Sequence, residues 1–195
     1  MKETEPKQSE KKFGEQITSA EQIMAGLYRI PRTGWVRRGV KDPESVGEHT
    51  DALIALAEKV CGKLPNIDKE KLLRMLRVHD WPEYIVGDQV AIHESLEEQK
   101  KLQKQKYASE HEAMQRIAAS LGIEGEEAKE LWLEYTNSST PEAILAHQLD
   151  KLQAIKKAAE YQQQGEPVAY KEFADHYRGI ITDPILIEIL EAIEK

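Results

Sequence analysis

The chain has 195 residues, 40% hydrophobic and 32% charged, which excludes a disordered polymer and is enough to bury one substantial core. Its 27 basic and 35 acidic residues leave a formal net charge of −8, which excludes a broad basic footprint for long nucleic acid but not a local pocket for one phosphate. No apolar run approaches the roughly twenty residues of a membrane span, and a single cysteine, Cys61, excludes an internal disulfide.

The first fifteen residues are polar and aperiodic, and predict a flexible tail ahead of one domain over 16–195. They have no apolar core of the kind a secretory signal needs, and with the lone thiol they point to a cytoplasmic protein. Cys61 falls inside an amphipathic helix and reads as a packing residue rather than a nucleophile. From residue 16 onward helical periodicity dominates. It predicts helices over 16–29, 45–62 and 68–81, a short turn near 82–86, then helices over 95–121, 125–137, 141–163, 168–179 and 184–194. Start signals are clear. Ser45 and Glu48 have capping-box spacing, Asp68 precedes an apolar run, and Thr140-Pro141 and Asp183-Pro184 each set a capping side chain before proline at the first helical position. No stretch alternates as a strand does, so the expected fold is all-α, a single helical bundle.

Four ligand-type side chains stand out: His49, His79, Asp80 and Asp150. His49 shares a face with Val46 and Leu53, and His79 shares one with Leu72 and Leu76. Asp80 is rotated by about 100° from His79, so the two can flank one ion at the helix surface. Asp150 lies among the apolar positions of helix 141–163. Taken singly, each has an ordinary alternative: a core imidazole bonded to a carbonyl, or a carboxylate paired with Lys151. Together, imidazole nitrogen plus carboxylate oxygen suits a divalent Mn, Fe, Co, Ni or Zn ion, whereas an all-oxygen set would point to Ca or Mg.

Two further acids, Glu83 and Asp88, follow the His-Asp pair in a stretch broken by Pro82 and Gly87. Acids near a metal but free of it can orient water and protonate a leaving group. Upstream, residues 29–41 carry four arginines and one lysine with no acid, and include Trp35. Guanidinium groups bind phosphate oxygens in pairs, and an indole offers a flat face to a base or sugar. The same residues could equally form an exposed basic loop anchored by its tryptophan.

The stretch from Ile30 to Val40, followed by Pro43 to His49, closely resembles the opening of the HD-domain 5′-deoxynucleotidases of the YfbR type. The resemblance continues through Val78-His79-Asp80, Glu83 and Ile85 to Asp88. It resumes at Glu110 to Met114, Leu131 to Tyr135, Gln148 to Lys151 and Ala159 to Tyr161, and so spans about residues 20–190 in consistent order. It implies an all-α HD domain, a divalent metal and hydrolysis of deoxyribonucleoside 5′-monophosphates to deoxynucleoside and phosphate. By the same resemblance His49, His79, Asp80 and Asp150 hold the metal, Glu83 and Asp88 are the catalytic acids, and Trp35 packs near the sugar. Arg38 and Lys106 are the expected phosphate contacts, Arg32 or Arg38 supplies the positive charge that Gly34 lacks, and the protein is expected to be a homodimer. The chain departs from the family pattern at Trp81-Pro82, where small or apolar residues are usual, at Val90, where a proline is usual, and at Gly34, where an arginine often stands. Two other readings remain: an HD phosphohydrolase acting on a triphosphate, cyclic nucleotide or alarmone, and a non-catalytic helical domain that keeps a metal.

Overall fold

The computed structural model describes residues 16–64, 66–91 and 95–193, so the expected tail over 1–15 lies outside the described residues. The expected all-α class is borne out. The elements are α1 (Ala20–Leu27), α2 (Thr33–Val36), α3 (Val46–Cys61), α4 (Lys69–Val78), α5 (Glu83–Val86), α6 (Leu96–Leu121), α7 (Ile123–Thr136), α8 (Pro141–Gln163), α9 (Tyr170–Tyr177) and α10 (Pro184–Ile193). Among the described residues the sole β-type pairing is an isolated antiparallel bridge between Pro31 and Ser45, which ties the basic loop to the start of α3.

The caps form where the sequence places them. Glu48 N–H donates to Ser45 Oγ, and the Glu48 side chain accepts from Ser45 N–H at 2.7 Å, completing a capping box on α3. Asp68 accepts from Lys71 N–H, Thr140 from Ala143 N–H, and Asp183 from Ile185 N–H, each meeting a donor that a helix start would leave free. Two elements differ from the periodicity. The helix expected over 68–81 stops at Val78, because Pro82 has no N–H to return to the Val78 carbonyl. Residues 79–82 instead close tight turns, with Trp81 N–H on Val78 O and Glu83 N–H on Asp80 O. In the basic loop the structure adds α2, a single turn that carries Trp35 into the interior.

Helix α8 is the axis of the molecule and packs against α3, α4, α7, α9 and α10. Its Leu149, Leu152 and Ile155 are fully buried, each contributing roughly 1.5–3 kcal/mol of apolar burial. The core falls into two apolar clusters. One gathers Leu53, Leu72, Leu76 and Leu149, and the other gathers Ile23, Val46, Val78, Trp81 and Trp132. Helix α3 crosses from the second at Val46 to the first at Leu53, and α4 crosses from Leu76 to Val78. His49 stands between Val46 and Leu53, and His79 directly follows Val78 at the end of α4, so both lie near the seam between the clusters.

Candidate metal centre and active site

The seam brings together side chains that stand 101 residues apart in sequence at their extremes. One ligand atom from each of His49, His79 and Asp150 lies within 4.8 Å of the others, and all three residues are buried. His49 Nε2 is 3.2 Å from Asp150 Oδ1 and 4.0 Å from Asp80 Oδ2. His79 Nε2 is 3.1 Å from the same Asp80 oxygen. All four ligand-type residues singled out in the sequence therefore converge.

The tautomers follow from the opposite ring nitrogens. His49 Nδ1 faces Gln153 Oε1 at 2.8 Å and His79 Nδ1 faces the Leu76 carbonyl at 2.7 Å. Both partners can only accept, so each Nδ1 carries a proton and, in the neutral ring, each Nε2 turns its lone pair toward the carboxylates. His49 Nε2, His79 Nε2 and Asp80 Oδ2 are buried without a hydrogen-bond partner. Acceptors facing one another in a dry site need a positive charge between them, since an unpaired buried polar group is costly. The donor set, two imidazoles and two carboxylates, fits a divalent transition ion.

The electrostatics carry the same strain. Burial works against a charge on His79, but the Asp80 carboxylate outweighs it and raises the imidazole above its usual range. Burial likewise opposes ionisation of Asp80 and Asp150. His79 nevertheless holds Asp80 well below the usual carboxylate range, and Lys151, 2.7 Å away, does the same for Asp150. Glu83 behaves in the opposite way: burial, then the Asp80 and Asp88 charges, push it well above the ordinary value.

Glu83 opens α5 directly after Pro82, 3% exposed, with Oε1 3.4 Å from Lys106 Nζ and Oε2 without a partner. Asp88 is anchored differently. Thr33 N–H donates to its Oδ2 at 2.6 Å, and the Thr33 hydroxyl donates to its backbone carbonyl. Gly87 makes this possible, because φ 75° with ψ 169° is a conformation open essentially to glycine alone. Arg32 reaches the cluster, its Nη1 3.7 Å from Asp80 Oδ2. Lys106 is shared between Glu83 and Glu110, 3.2 Å away, and also donates to the Gln89 carbonyl. Trp35 and Arg38 lie farther round. The indole donates to Glu44 Oε1 and stacks on Phe173, while the Arg38 guanidinium rests 4.4 Å above the Phe173 ring and donates to the Gly34 carbonyl.

Several residues of the site went unnoticed in the sequence. Gln153, which orients His49, is one turn beyond Asp150 on α8; that i+3 spacing puts it on the Asp150 face without indicating which side chain it meets. Glu44 accepts from both Trp35 and Gln153 and so couples the basic loop to the His49 orienting bond. Tyr135 sets its ring edge against His79, with centroids 5.3 Å apart. Glu44 and Tyr135 fall inside the family-resembling stretches 43–49 and 131–135, but nothing in the local sequence marks their roles.

Comparison with known proteins defines the class first. Residues 24–185 match the family model of the HD domain. The 5′-deoxynucleotidase HDDC2 of Homo sapiens is 33% identical, over 88% of this chain and 81% of that protein. The 5′-deoxynucleotidase hdd1 of Schizosaccharomyces pombe is 36% identical over 139 residues, 71% of this chain and 69% of its own length. Among solved structures, a conserved hypothetical protein from Pyrococcus furiosus superposes with a TM-score of 0.70 at 31% identity, covering 90% of this chain and 97% of its own. The chain belongs to the HD-domain 5′-deoxynucleotidase family. The HD domain is a metal-dependent one, and the buried His49, His79 and Asp150 cluster can hold an ion.

Proposed function

We propose that this chain is a metal-dependent 5′-deoxynucleotidase, cleaving deoxyribonucleoside 5′-monophosphates to deoxynucleoside and inorganic phosphate. The observation that carries the reading is the buried cluster of His49, His79 and Asp150, with the Asp80 carboxylate at its edge, 3.1 Å from His79 Nε2. Two oriented imidazole lone pairs meet carboxylate oxygens there, with Glu83, Asp88 and Arg32 beside them. Those four residues would hold the ion, and the mixed nitrogen and oxygen set favours Co, Mn, Fe, Ni or Zn. When bound, the ion supplies Lewis acidity at a phosphate oxygen and lowers the pKa of water in the site.

The chain's own residues do the rest. Asp88, held by Thr33, and Glu83, beside Lys106, divide the proton work: one carboxyl orients the attacking water and the other assists proton transfer to the 5′ oxygen. Arg32 and Lys106 offset charge on the equatorial phosphate oxygens. Trp35 packs at the sugar end, and Arg38 belongs to the nucleoside side of the site. Residues 16–195 act as one catalytic domain, in a cytoplasmic homodimer. Among the described residues no helix is long and apolar enough to cross a membrane.

The test is phosphate release from matched 2′-deoxy and ribo monophosphates with Co, Mn or Mg added to chelated protein. The reading expects metal-dependent release that favours the deoxy series. Equal rates on both series would remove the deoxynucleotidase assignment and leave a general phosphohydrolase.

A further inference from the structure

The metal end of the site accounts for a phosphate and leaves the base of a nucleotide without a partner. Trp35 cannot provide a stacking surface: it is 3% exposed, with Phe173 stacked at 4.8 Å, Tyr161 edge-on at 5.2 Å and its N–H committed to Glu44. The aromatic surface that remains open is next to it, on α9.

Two hollows meet there. The inner one, about 120 Å³, is bounded by Arg32 and Asp88 at the metal end, and by Arg38, Phe173 and Tyr177 at the other. The outer one, about 220 Å³, shares Arg38, Phe173 and Tyr177 and ends on Glu172 and His176. Through these shared residues they adjoin one another between Arg32 and Asp88, beside the reacting centre, and an aromatic and cationic wall, and are taken together as one crevice. Its distance from the chemistry is set by a short relay, since Lys151 Nζ is 2.7 Å from Asp150 Oδ2 and 5.5 Å from the centre of the Tyr177 ring. Tyr177 is half-buried. The Arg38 guanidinium is held 4.4 Å from the centre of the Phe173 ring and donates to Gly34 O.

Resting on the deoxynucleotidase reading, we propose that the substrate's nucleobase is held in this crevice by Tyr177 and Arg38, with Phe173 and Trp35 as the rigid layer behind them. A phenol ring and a guanidinium plane both stack on a base, and stacking tolerates any base because every base has a π-face. Arg38 is then a base contact rather than a phosphate contact, which agrees with Arg32, and not Arg38, standing beside Asp80. The crevice makes the enzyme selective for nucleotides over sugar phosphates and only weakly selective among bases.

The experiment compares kcat/KM for dAMP and dTMP with kcat/KM for 2-deoxyribose 5-phosphate, which has the same reacting group and no base. Where turnover of the sugar phosphate is slow, its inhibition constant replaces kcat/KM. Tyr177→Ala and Arg38→Ala should each lower the nucleotide to sugar-phosphate ratio roughly tenfold, mainly through KM, in line with the loss of one stacking partner. Tyr177→Phe should retain the ratio and Tyr177→Leu should lose it, a comparison that stands even where the alanine variant is too unstable to assay. An unchanged ratio in folded Tyr177→Leu and Arg38→Ala, with wild-type turnover of deoxynucleotides intact, overturns the base contact alone. No wild-type turnover of any deoxynucleotide overturns the parent reading and this inference with it.

Discussion

Replacing Gln153 by leucine removes the acceptor that orients His49 while keeping side-chain volume close to the original. In the wild type the His49 Nδ1 proton goes to Gln153 Oε1 at 2.8 Å, and the ring is fully buried. Without that bond a buried N–H is left unsatisfied, a cost of about 1–3 kcal/mol of stability. Loss of such an orienting partner typically costs about 10- to 100-fold in metal affinity, equivalent to about 1.4–2.7 kcal/mol. Gln153 Nε2 also donates to Glu44 Oε2 at 3.3 Å, but Glu44 keeps Trp35 and Lys157, so the damage centres on His49. The assay is calorimetric titration of Mn or Co into the chelated protein, alongside thermal unfolding without metal. Weakened binding with kcat largely restored at saturating metal is the expected pattern. A folded variant with wild-type metal affinity would refute the claim that Gln153 sets the His49 tautomer.

Other expectations are narrower. His79→Ala should abolish turnover and metal retention together, measured by elemental analysis and phosphate release; near-normal values for either would show that His79 is not a ligand. Gly87→Ala forces a side chain into φ 75°, ψ 169°, a strain of about 1–3 kcal/mol next to Asp88, so activity should fall well before the fold is lost on heating. Glu48 is held below the usual carboxylate range by hydrogen bonds from the Ser45 backbone and hydroxyl. Its folded pKa is depressed, so its stabilisation is present above the unfolded value of about 4.3 and is lost as pH falls through the folded value. Glu48→Gln should therefore flatten the acid side of the melting-temperature profile, and a wild-type slope in that variant would exclude the capping carboxylate as its source.

Local signals carried much of the architecture. The starts of α3, α4, α8 and α10 were legible because a capping side chain and the N–H it accepts from lie within three residues of one another. The end of α4 was not, because His79 continues the Leu72 and Leu76 stripe in phase while Pro82 acts from three residues beyond. α2 escaped for another reason: a single turn containing Gly34 is too short to show a period. In the site, helical phase put His49 and His79 on inward faces, but phase gives no register between helices. That Gln153 would meet His49 across 104 residues, or that Lys106, one turn from Glu110 on α6, would also reach Glu83, depends on how α8 and α6 dock, and no spacing encodes that. Asp150 shows the limit well. A pairing with Lys151 was foreseen as its ordinary alternative, and the structure has that pairing and the His49 contact on the same carboxylate.

The most direct test of the account is reconstitution of the chelated protein with a divalent ion while phosphate release from a deoxynucleoside monophosphate is followed. If one ion held by His49, His79, Asp80 and Asp150 supports the reaction, activity is absent at the start and rises in proportion to bound metal up to one equivalent per chain. Full activity in the chelated protein, or metal bound at one equivalent with no phosphate released from any deoxynucleotide, would contradict it.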